Sequence, residues 1–160
     1  PGGYFGKWMY NSLIKLGFKY DSSINPNSFF NKRDFKLKNI SSKPYIINEK
    51  NSNGKLIELP FSYFQVGSLR FPTAGGPFLR FFPAEYIILG LKDSIARGDA
   101  VFYLHPIDIS NEKLPSLASK NLRRPFYFFT SGKKTQDKLS IIIEKFSQYW
   151  TTCDQLLKLW

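Results

Sequence analysis

The chain has 160 residues, 42% of them hydrophobic and 22% charged, which suits one domain with a packed core and is too apolar for a disordered segment. Its formal net charge of +11 raises the question of nucleic acid, but 17 of the 23 basic residues are Lys scattered along the chain, whereas base reading and bidentate phosphate grip favour clustered Arg. A single cysteine, Cys153, excludes an internal disulfide and a Cys-rich metal site, and no apolar run reaches the roughly 18 residues of a membrane span.

Pro1-Gly2-Gly3 reads as the middle of a longer chain, which leaves an upstream targeting segment open. Residues 5–16 carry Met9, Leu13 and Leu16 at helical spacing, with Gly17 as the stop. Residues 18–20 read as a short strand that meets a turn at Asp21-Ser22-Ser23. Residues 25–55, rich in Asn, Ser and Lys, read as a long loop with at most short strands near Tyr45. Residues 56–64 are strand-like, and the paired glycines of residues 71–80 predict an irregular loop. Residues 83–97 form the clearest helix, with Ile87, Ile88, Leu91 and Ile95 on one stripe and Gly98 at its end.

Residues 101–104 predict a buried strand ending at His105-Pro106, and residues 107–121 a loop. Residues 137–150 predict a second amphipathic helix, with Leu139, Ile142, Ile143 and Phe146 on one side and Thr135 as its cap. Helices alternating with short buried strands predict an α/β fold, a single domain over residues 1–160. Aromatics reach 18%; the clusters Phe61-Ser62-Tyr63-Phe64 and Phe126-Tyr127-Phe128-Phe129 suit buried strands first and the walls of a sugar-binding cleft second.

His105 is the only histidine, and it directly follows an apolar strand. In α/β sheets such strand ends line active sites, although a lone histidine also serves structural ends. With no second His or Cys nearby it cannot anchor zinc, so general acid or base work suits it better. Asp21 is either a turn former or a carboxylate that orients His105, and Asp108 is a second candidate for that task. Gly75-Gly76 either presents backbone N–H groups to an anion or allows a sharp bend; it is not a phosphate-binding loop. Arg80 is either a clamp for substrate or carboxylate, or a surface arginine. No GxSxG context supports a serine hydrolase.

The order of these motifs resembles the bacterial exopolysaccharide branch of NodB-type deacetylases, carbohydrate esterase family four. The matching stretches are Leu16-Gly17-Phe18-Lys19-Tyr20-Asp21-Ser22-Ser23, then Glu58-Leu59-Pro60, then Pro72 with Gly75, Gly76, Arg80 and Pro83, then Phe102-Tyr103-Leu104-His105-Pro106. A final helix with a Lys-rich opening completes the match. The chain departs from the family where Ile107-Asp108 stands for the common Trp-Glu, and where Pro77 takes the place of a third glycine.

The resemblance implies a distorted (β/α) barrel of which this chain is the C-terminal half, and hydrolysis of N-acetyl groups on a polysaccharide. It makes His105 the general acid that protonates the departing amine, with Asp21 tuning it. Gly75, Gly76, Arg80, Tyr103 and Asp108 are expected at the substrate. The family's Asp-His-His set for a divalent metal, usually zinc, belongs to motifs upstream of Pro1, so this chain alone is expected to bind no cofactor. The expected partners are the polysaccharide and the missing N-terminal half of the barrel, with no nucleic acid and no membrane span; the compartment stays open between cytoplasm and cell envelope. The competing reading is a non-catalytic carbohydrate-binding or interaction module built on the aromatic, Lys-rich surface.

Overall fold

The computed structural model describes residues 8–26, 40–41, 43–48, 54–112 and 132–159. The chain runs α1 (Met9–Lys15), β1 (Tyr20–Asp21), β2 (Tyr45–Asn48), β3 (Lys55–Glu58), β4 (Tyr63–Val66), β5 (Leu69–Pro72), α2 (Gly76–Phe81), α3 (Ala84–Arg97), α4 (Pro106–Ile109), α5 (Lys133–Lys145) and α6 (Cys153–Leu157). It is a mixed α/β fold with short sheets, and no closed barrel forms among the described residues.

β3 is the central strand of its sheet. It pairs parallel with β1 and antiparallel with β2. Its side chains alternate between faces, as strand geometry requires. Leu56 packs with Tyr10 of α1 and Ile47, whereas Ile57 joins Leu59 and Leu156 of α6 on the other face. α1 has only seven residues, too few to be stable alone, and it is held by this packing.

Pro60 has no N–H to donate, and the strand expected over residues 56–64 is broken there into β3 and β4. Beyond the break, Phe61 N–H donates to Ile24 O (3.0 Å) and Ser62 N–H to Val101 O (3.1 Å). Val101 bridges Phe61 in parallel. The expected strand at 101–104 is thus reduced to that bridge, which still carries the chain upward alongside Phe61 towards His105.

β4 and β5 form an antiparallel hairpin across Gly67-Ser68, with Gly67 at φ +58°. α3 lies against β4 and satisfies its backbone: Ser94 Oγ accepts from Tyr63 N–H (3.1 Å) and donates to Tyr63 O (2.8 Å), while Asp93 accepts from Gln65 N–H (2.9 Å). The main apolar core is built from Leu79 of α2, Ile87 and Leu91 of α3, and Ile142 and Phe146, at and just past the end of α5.

Several sequence expectations shift. α1 covers Met9–Lys15 of the helix expected at 5–16. The region 71–80 contains α2, because Pro77 in its first turn already holds a helical φ. The loop expected from 107 begins inside α4. α5 starts at Lys133, with Gly132 at its N-cap, so Thr135 lies inside the helix rather than capping it. Ile143 is 48% exposed instead of facing the core. The cluster at 126–129 and most of the long loop lie outside the described residues.

Candidate functional site

His105 is exposed at the end of the segment that starts at the Val101 bridge. Pro106 opens α4, and the turn closes on itself: Asp108 N–H donates to His105 O (2.9 Å), and His105 N–H donates to Asp108 Oδ2 (2.8 Å). The other carboxylate oxygen, Oδ1, pairs with Arg80 Nη2. The Arg80 and Asp108 side chains are 2% and 1% exposed, and Arg80 Nε also donates to Gly76 O (3.4 Å). The backbone of His105 is therefore fixed from beneath by a buried ion pair that joins α2 to α4.

Gly75-Gly76 makes this junction sterically feasible, each glycine for a different reason. Gly75 sits at φ +111°, in the region that favours glycine, and its missing side chain leaves room for the Tyr103 ring, which a Cβ would meet at 3.3 Å. At Gly76 a Cβ would overlap the Asp108 carboxylate itself.

Tyr103 is held between Gly75 and Phe61, on which it stacks at 4.9 Å with the rings 12° apart. Its hydroxyl lies 2.8 Å from His105 Nε2, and its ring meets the imidazole edge-on. Burial, with a smaller contribution from the Asp108 charge, pushes the Tyr103 hydroxyl above the usual tyrosine range, so it keeps its proton at neutral pH. With Nε2 held, Nδ1 has no partner among the described residues. The arrangement is an exposed imidazole held at its backbone and at one ring nitrogen, with the other nitrogen available to exchange a proton.

A second polar cluster lies on the α1 face of β3. Strand register sets Asp21 directly beside Glu58 on one side and Tyr45 beside it on the other. Glu58 is fully buried; its Oε1 accepts from Ser23 N–H (3.3 Å) and Ile24 N–H (3.1 Å). Burial first, and the Asp21 carboxylate second, push Glu58 up to about 9. Glu58 is thus neutral at pH 7, and its Oε2 and Asp21 Oδ2 are both buried without a hydrogen-bond partner. Desolvation raises both Tyr10 and Tyr45 above the tyrosine range, Tyr45 to about 12, so both keep their protons beside Glu58.

A family model described as a domain of unknown function (DUF3473) matches residues 22–158. The chain belongs to DUF3473. That domain is found at the C-terminus of polysaccharide deacetylase-like proteins. Nothing among the curated proteins or the solved structures matches the chain.

Within this DUF3473 chain, Gly75, Gly76, Arg80, Tyr103, His105 and Asp108 come together around one turn. Arg80 and Asp108 face each other, shut off from solvent, rather than an open cleft. Asp21 is not bonded to His105; its carboxylate accepts from Ser23 Oγ (3.0 Å), and strand register sets it beside Glu58. Sequence reasoning passed over Glu58, which was visible only as part of a Glu-Leu-Pro match, and Lys138, whose ammonium donates to three carbonyls at the end of α2. Among the described residues no group of three His, Cys, Asp or Glu gathers, and the Asp108 oxygens are already engaged by Arg80 and His105 N–H, so this turn does not fit a divalent metal.

Proposed function

We propose that this chain is the C-terminal half of a NodB-type, carbohydrate esterase family four deacetylase barrel that removes N-acetyl groups from a polysaccharide, with His105 as its general acid. The observation that carries the reading is the anchored, exposed imidazole, in a domain that accompanies deacetylase-like proteins. The metal, zinc or another divalent ion, belongs to the N-terminal half and not to this chain. In the collapse of the tetrahedral adduct the C–N bond breaks, and the departing nitrogen takes a proton from His105 Nδ1, leaving a neutral amine and acetate. Tyr103 holds Nε2, and Arg80, through Asp108, fixes the turn. The last two are positioning residues here, not substrate ligands. Asp21 acts within its own cluster, at the C-terminal end of β1. No helix among the described residues is long and apolar enough to cross a membrane; the partners proposed are the polysaccharide and the other half of the barrel.

The test is to co-express the chain with the metal-binding N-terminal half of a deacetylase-like protein and assay acetate release with zinc present. Release that needs both halves and collapses in His105→Ala supports the reading. Robust release from the chain alone, or full release without His105, overturns it. Binding of the polymer without any release favours a carbohydrate-binding module.

A further inference from the structure

We propose that Lys138 and Gln136 of α5 are positioning residues for His105, acting through the C-terminal ends of the two short helices that hold it; the proposal rests on His105 being the working group. α2 has six residues and α4 has four, so neither helix is stable on its own hydrogen bonds. Each also ends in carbonyls that have no partner within the helix. Lys138 Nζ donates to Arg80 O (2.8 Å), Phe82 O (2.9 Å) and Leu79 O (3.3 Å), matching its three donors to three carbonyls at the close of α2. One of those carbonyls belongs to Arg80, the residue whose guanidinium pairs with Asp108. Gln136 Nε2 donates to Ile109 O (2.6 Å), the last residue of α4.

Two routes therefore run from one helical turn of α5 to His105. The first passes from Lys138 to the Arg80 backbone, then through the buried ion pair to Asp108 and the His105 N–H. The second passes from Gln136 along α4 to the same turn. A cation at a helix C-terminus is favourable in its own right. Burial, and the nearby Lys134 charge, push the Lys138 ammonium below the usual lysine range while Glu85 opposes them, as expected of a group held against carbonyls rather than in water. α5 thereby sets the spacing of α2 and α4, and so the placement of the turn that carries His105.

The experiment uses the full-length protein with 15N-labelled histidine, His105 being assigned by the resonance lost in His105→Gln. Lys138→Met keeps most of the apolar stem and removes the three donors; Lys138→Arg restores a cation with donors; Gln136→Leu cuts the second route. Expected are shifted imidazole 15N resonances in Lys138→Met and Gln136→Leu, a return towards wild type in Lys138→Arg, and a loss of acetate release that falls on kcat rather than KM. A His105 spectrum identical to wild type in a folded Lys138→Met protein overturns the proposal. Should Lys138→Met not fold, an unchanged spectrum in Gln136→Leu overturns it instead. The spectrum reads the position of the imidazole whether or not acetate is released, so failure of this proposal and failure of the deacetylase reading give different results.

Discussion

At Gly76 one hydrogen atom stands where any other residue would place a carbon inside the Asp108 carboxylate. Gly76→Ala must displace that carboxylate from Arg80, and separating a buried ion pair costs about 3–5 kcal/mol. Urea unfolding should therefore show a loss of about 3 kcal/mol or more; a variant as stable as wild type would mean that the pair is not rigidly held. Tyr103→Phe removes a single hydroxyl and with it the anchor of His105 Nε2. Its expected signature is a changed tautomer balance in the imidazole 15N spectrum with little change in melting temperature, and an unchanged balance would rule out the anchor. Glu58 gives a signed pH dependence. Its folded pKa, about 9 against an ordinary 4.5, means that the folded state retains a proton the unfolded chain releases. Its contribution to stability is complete below pH 4.5 and is lost as pH rises from 4.5 towards 9. Glu58→Gln, which has no proton to release, should flatten that decline in melting temperature; a slope equal to wild type would contradict a buried, protonated Glu58.

Among the elements, α3 does two jobs: its apolar stripe enters the core while Asp93 and Ser94 satisfy the edge of β4. Ser94→Ala would leave the buried Tyr63 N–H without its acceptor, a cost of about 1–3 kcal/mol that thermal unfolding can check. A change below half of that range would mean the edge is satisfied another way. α3 and α5 were legible because a 3.6-residue apolar period is a local property of the sequence. The hairpin was not read, although Gly67-Ser68 between two strand-like runs is the two-residue signal for one. The loop expected over 71–80 treats Gly75-Gly76-Pro77 as a breaker, whereas Gly75 is the N-cap and Gly76 the first residue of a helix that Pro77 helps to start. The strand expected at 101–104 failed because apolar side chains alone do not provide a pairing partner, and only Val101 has one in the described residues.

Across the whole molecule, the residues clustered at the His105 turn were readable as motifs, but their division of labour was not. That Arg80 and Asp108 face each other follows from the approach of α2 to α4, and that Asp21 meets Glu58 follows from the β1–β3 register. Both are long-range consequences of packing that local spacing does not encode. The central claim is that His105 delivers a proton to the departing amine, and the leaving group tests it most directly. In the reassembled two-half protein, acetate release from an N-acetylated sugar polymer should fall by roughly 10²–10⁴-fold in His105→Ala. Release from an aryl acetate, whose leaving group departs without a proton, should barely change. Equal losses on both substrates would contradict the general-acid role of His105.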